Sequence, residues 1–88
     1  MELSGSNYIA LLKKTKIEIQ QDKLIESCCE LSSILMQQRN NPHKDLTDDI
    51  ENKLADVLLW SESVADNYDG ERINRKIAKK LYKHKKIL

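Results

Sequence analysis

Phenylalanine is absent from this chain, tryptophan occurs only as Trp60, and aromatic residues total 5%. A core therefore has to be assembled from Leu, Ile and Val, without the rings that contribute the most area per side chain. Proline occurs once, at Pro42, and glycine twice, at Gly5 and Gly70. Such scarcity excludes collagen-like and low-complexity, loop-dominated architectures. The two cysteines are neighbours, Cys28-Cys29, so they close no stabilising loop. Adjacent side chains on a helix also diverge, which leaves free thiols and points to a reducing, cytoplasmic setting. No stretch approaches 18 consecutive apolar residues, and the N-terminus lacks the basic-then-apolar pattern of a secretory signal. No membrane partner is expected.

Charge, by contrast, is plentiful. Charged residues make up 33% of 88 residues, yet the formal net charge is only +1. The distribution is uneven: residues 1–43 balance, residues 44–69 carry a net −6, and residues 70–88 a net +7. The length fits one domain, 1–88, at the small end of what folds alone, and a core this small gains from a partner subunit. A homodimer or homotetramer is the expectation.

The apolar spacing predicts helices throughout. A short helix is expected over 7–15 after Gly5-Ser6-Asn7, with a bend, a loop or continued helix at 15–19. A long helix follows over about 18–40, where Leu24, Cys28, Leu31 and Leu35 recur at spacings of four, three and four. Asn40-Asn41-Pro42 stops it; Pro42 disfavours helical backbone at Asn41, and Asn tolerates a left-handed exit. A second long helix spans about 46–67, capped by Asp45 or Thr47. A last one spans about 70–86, capped by Asp69, with its buried edge marked by Ile73, Ile77, Leu81 and Leu88. The fold class is all-α: an antiparallel helical bundle with two long central helices and shorter terminal ones, completed by oligomerisation.

The stretch LIESCCEL (Leu24–Leu31) sets Glu26 and Glu30 one turn apart beside Ser27. On the next long helix Asp49, Lys53, Asp56 and Trp60 share a face. Antiparallel packing would let Glu26 and Glu30 converge with Lys53 and Asp56. Two readings stand. The first is a pair of solvated, charge-laddered helix edges, with Lys53 an ordinary surface partner. The second is a carboxylate cleft for Mg²⁺, which takes one or two carboxylates plus phosphate oxygens and water. Cys28 and Cys29 read as small, half-buried side chains at a helix crossing rather than a redox pair. His43 and His84 lie in separate elements and read as exposed. Trp60 reads as core or interface, with a nucleobase platform as the alternative. The C-terminal bases Arg72, Arg75, Lys76, Lys79, Lys80, Lys83, Lys85 and Lys86 suit phosphate or the acidic segment; nucleic acid is disfavoured for want of aromatics and of any reader motif.

LIESCCEL followed by ENKLADVLLW (Glu51–Trp60) resembles the two signature segments of the MazG-like all-α nucleoside triphosphate pyrophosphohydrolases, and the similarity covers roughly residues 16–86. The resemblance implies a dimeric or tetrameric helical bundle that holds Mg²⁺ between two acidic pairs and hydrolyses a nucleoside triphosphate to the monophosphate and pyrophosphate. Carried over, the first pair falls on Ser27 and Glu30, preceded by the extra acid Glu26, and the second on Lys53 and Asp56. Glu26, Glu30 and Asp56 are then the catalytic and metal-ligating candidates, and Lys76, Lys79 and Trp60 the nucleotide-binding ones. Ser27 and Lys53 depart from the pattern, and an ammonium cannot ligate a metal. Lys53 has Glu30 and Asp56 as candidate partners. The expected function is that pyrophosphohydrolysis, weak or lost, with Mg²⁺ as cofactor if it survives and none if it does not. The alternatives are a catalytically silent nucleotide-binding protein, or an interaction module that forms helical oligomers or takes a protein partner.

Overall fold

The computed structural model describes residues 8, 10, 11 and 14–87. Three helices account for most of them: α1 is Ile17–Asn40 (24 residues), α2 is Thr47–Ala65 (19 residues) and α3 is Gly70–Ile87 (18 residues). Tyr8, Ala10, Leu11 and Lys14 are also helical; the rest of the helix expected over 7–15 lies mostly outside the described residues. The chain bends at Thr15, and Lys16 is extended (φ −67°, ψ 154°) before α1 begins. The described residues contain no strand. The fold is all-α, though α3 is nearly as long as α2 rather than a short terminal piece.

Helices α1 and α2 form an antiparallel hairpin. Its cross-connections run in opposite chain directions: Gln38 with Leu46, Glu30 with Lys53, and Gln20 with Asn67. The inward edge of α1 is Gln20, Leu24, Ser27, Leu31, Ile34 and Gln38, alternating steps of four and three. On α2 the matching edge is Ile50, Lys53, Val57, Trp60 and Val64. Such 3–4 spacing is the seam of helices crossing at a shallow angle. What is unusual is its content, for the buried members of α1 are Gln20 and Ser27. Leu46 is the one buried apolar residue among those described.

The expected stripe of Leu24, Cys28, Leu31 and Leu35 is therefore split. Leu24 and Leu31 turn inward, whereas Cys28 and Leu35 are exposed, and so is Cys29. The thiols sit on the outer side of the helix, not at a helix crossing. A stripe read four residues at a time drifts around the helix, and the seam follows the alternating rule instead.

Polar side chains organise the turn between α1 and α2. The Gln38 amide donates to Lys44 O (2.6 Å) and Asn41 O (3.3 Å), and its carbonyl accepts the Leu46 N–H (3.0 Å). Asp45 accepts the N–H of Thr47, the first residue of α2 (3.0 Å), in an Asx turn. Asn41 leaves α1 at φ −132°, ψ 68°, so the exit is not left-handed. Pro42 accounts for this by pushing the preceding residue into extended backbone. Asp69 caps α3 as expected, accepting the Arg72 N–H at 3.1 Å.

Helix α3 leaves the hairpin largely uncovered. Ile73 is half-buried, but Ile77 and Leu81 are exposed, and Leu88 lies outside the described residues. The chain has an accessible surface of 7399 Å², against roughly 5,300 Å² for a compact monomer of this mass. Its radius of gyration is 15.6 Å, against roughly 12 Å.

Candidate functional site

Midway along the hairpin, Lys53 occupies an inward seam position, where an apolar residue would ordinarily stand. Its ammonium donates to the Glu30 carboxylate across the α1–α2 crossing, and the two side chains are about a third exposed (34% and 38%). That bond, followed by the fields of Glu30, Asp56 and Glu26, raises the Lys53 pKa above its ordinary value despite partial burial. Reciprocally, the Lys53 bond and its field hold the Glu30 carboxyl below its ordinary value, with help from Glu26 and Lys23. Glu26 is mostly exposed and lies 3.9 Å from the Lys23 ammonium. Asp56 is half-buried.

The hairpin thus brings Glu26, Glu30, Lys53 and Asp56 within one electrostatic cluster of three carboxylates and one ammonium. Ser27 is different. It is buried at 6% exposure and its hydroxyl donates to the Lys23 carbonyl at 2.7 Å, so its proton is committed to its own helix. Among the described residues, no three His, Cys, Asp or Glu side chains converge closely enough to hold a metal ion.

Trp60 is half-buried on the same inward face of α2. Lys76 and Lys79 stand apart from the cluster. They are exposed on α3, where with Arg72 and Arg75 they line a shallow hollow of about 120 Å³ walled by cations alone. The charges acting on Lys53 and Glu30 come from Glu26, Asp56 and Lys23, not from α3. Within one chain the two groups of candidate residues occupy separate surfaces.

A second polar tie closes the open end of the hairpin. Asn67 donates to the Gln20 carbonyl oxygen at 3.0 Å, and Gln20 donates to Thr15 O at 2.9 Å. Nearby, burial and then the carboxylates Asp66 and Glu62 push the Tyr8 hydroxyl pKa upward. Sequence reasoning missed Gln20, Gln38 and Asn67. Their signal was positional, since Gln20 and Gln38 fall on the same alternating seam as Leu24 and Leu31.

No protein-family model, curated protein or solved structure matches this chain.

Proposed function

We propose that this chain is a MazG-like helical protein that binds a nucleoside triphosphate as a cytoplasmic homo-oligomer, with pyrophosphohydrolysis weak or absent. The observation that carries this reading is the Lys53–Glu30 bond at the α1–α2 crossing. The MazG resemblance implies Mg²⁺ at that crossing, and the donors present do not suit it. Lys53 brings an ammonium to one of the remaining carboxylates, and the Ser27 hydroxyl is turned to a backbone carbonyl. Magnesium demands near-ideal octahedral oxygen donation and sheds water reluctantly, so it competes poorly with a built-in cation.

The distribution of charge favours a different surface for phosphate. With Lys23 beside Glu26, three carboxylates against two ammonium groups leave the cluster with a net −1, which repels a polyphosphate when no divalent ion is present. Arg72, Arg75, Lys76 and Lys79 offer the opposite field on consecutive turns of α3. Guanidinium forks suit phosphate oxygens in bidentate pairs, and lysines add point charge. Trp60 would meet a base only if a second chain brought α3 and the hairpin together.

A second reading, an interaction module that forms helical oligomers, is favoured by a separate observation: Leu46 alone is a buried apolar residue among those described. A chain with so little core of its own has most to gain from a partner.

Calorimetric titration of a nucleoside triphosphate panel, with and without EDTA, coupled to a pyrophosphate-release assay, separates these readings. Binding that is unchanged by EDTA, with no pyrophosphate released at high protein concentration, is the expected result. Magnesium-dependent release at an ordinary enzymatic rate would overturn the silent-site reading. Absence of nucleotide binding would leave the interaction module.

A further inference from the structure

Helix α2 carries apolar residues on two sides. One side is the seam with α1. The other is Leu54, Leu58 and Ala65, of which Leu54 and Leu58 remain 41% and 44% exposed. Beyond Leu58 this second stripe meets the chain's own α3 in a groove of about 380 Å³, lined by Leu58, Ala65, Ile73 and Ile77 together with Glu62 and Asp66. At 100° per residue, Glu51, Glu62 and Asp66 flank the stripe along one side.

Helix α3 is the complement of that surface. Ile73, Ile77 and Leu81 form a stripe at four-residue spacing that leads out of the groove, and Leu81 is 66% exposed. Lys76, Lys80 and Lys83 border it. Among the described residues, the cations of α3 make a single ion pair with the acidic segment, Arg72 to Asp69 at 4.0 Å between near neighbours in sequence. A segment of net +7 thus adjoins one of net −6, and among the described residues Arg72–Asp69 is the ion pair that joins them.

We infer that α3 of a second copy of this chain lies along the outer stripe of α2, seating its Ile77 and Leu81 on Leu54 and Leu58 and its bordering lysines against Glu51 and Glu62. The contact is reciprocal, because a two-fold axis presents each chain's α3 to the other's α2. Opposite charge along the two stripes, acids beside Leu54 and Leu58 and lysines beside Ile77 and Leu81, argues for this occupant. This deepens the oligomeric part of the proposed function by naming the surfaces, and it does not depend on the nucleotide part.

Sedimentation equilibrium on the full chain tests it. Wild type is expected to dimerise below about 100 μM and to weaken as salt rises, since lysine–carboxylate contacts at a rim are screened. Leu58→Asp and Leu81→Asp each remove one member of the contact at an exposed position, and each is expected to raise the dissociation constant at least about tenfold. Unchanged helical circular dichroism in both variants separates this from misfolding. A wild type that stays monomeric, or a dimer indifferent to either substitution, overturns the inference. A monomer that cosediments through Leu81 with phosphatidylserine vesicles would reassign the face to a membrane surface. Nucleotide titration has no bearing on any of these outcomes, so failure here and failure of nucleotide binding are distinguishable.

Discussion

Replacing Gln38 by alanine should loosen the whole hairpin, although the residue lies more than a turn from Glu30. Its side chain makes three bonds across the α1–α2 turn: to Lys44 O, to Asn41 O and from the Leu46 N–H. The third matters most. Leu46 is 5% exposed, and it stands at the N-cap of α2, where its own side chain supplies no cap. Truncation leaves that amide with neither partner nor ready access to water. An orphaned buried donor costs about 1–3 kcal/mol, and two partly exposed bonds add about 1 kcal/mol between them. The expected loss is roughly 2–3 kcal/mol, or a fall of roughly 10–20 °C in Tm for a domain of this size. Thermal and urea unfolding followed by circular dichroism measure it, and Gln37→Ala, at the exposed neighbouring position, is the control. A loss below about 0.5 kcal/mol, or an equal loss in the control, would refute the assignment of the turn to Gln38.

Three further outcomes follow from the same contacts. Leu46→Ala removes the one buried apolar side chain described and should cost about 2–4 kcal/mol by denaturant unfolding. Asp69→Ala takes the cap from α3 and should destabilise that helix by about 1 kcal/mol, read as faster amide exchange over residues 70–74 with the hairpin unmoved. The stabilising contribution of the Lys53–Glu30 pair should be flat through neutral pH. Glu30 is depressed in the folded chain, so its contribution is complete above the ordinary carboxylate value and is lost as pH falls through the lowered one. Lys53 is raised, so its contribution is complete below the ordinary lysine value and is lost as pH rises through the raised one. Carboxyl-detected NMR titration of Glu30 in wild type and Lys53→Gln measures the acid limb, and an unchanged Glu30 midpoint would refute the pairing.

Much of the fold was legible because helix period, Pro42 and the Asp69 cap are local signals that packing did not override. Helix boundaries at Asn40 and Gly70 followed directly. The inward face of α1 was not legible in the same way. Four apolar residues at four-three-four spacing suggested burial for Cys28 and Leu35, but the hairpin seam selects Gln20, Ser27 and Gln38 instead. Hydrophobicity cannot report a seam whose buried members are polar. The meeting of Glu30 with Lys53 was legible as one of two candidate pairings, and cross-helix register decided between Glu30 and Asp56. Register itself was hidden, since it rests on Gln38 at one end and Asn67 at the other.

Ser27 and Lys53 make sense together, and that coupling is testable. A carboxylate at position 27 would be buried in the α1–α2 contact, beside Glu26 and Glu30, tolerable only with a cation nearby. A lysine at 53 supplies a cation, but one tied to Glu30, which leaves no charge to spare for a further acid. Small hydroxyl and internal ammonium are thus mutually consistent, and a polar residue at a seam position also pins the register of packed helices. Reversing only Lys53→Glu sets a carboxylate against Glu30, and the hairpin should unfold at lower temperature at neutral pH, recovering as acid neutralises the pair. Ser27→Glu with Lys53→Glu brings the cluster to five acids, and this double variant should gain thermal stability on addition of Mg²⁺ well beyond that given by sodium chloride of equal ionic strength. Wild type, holding its own cation, should respond to the two salts alike. If the double variant also fails to distinguish magnesium from sodium, the α1–α2 crossing is not a metal site filled by lysine, and Lys53–Glu30 is a register pin alone.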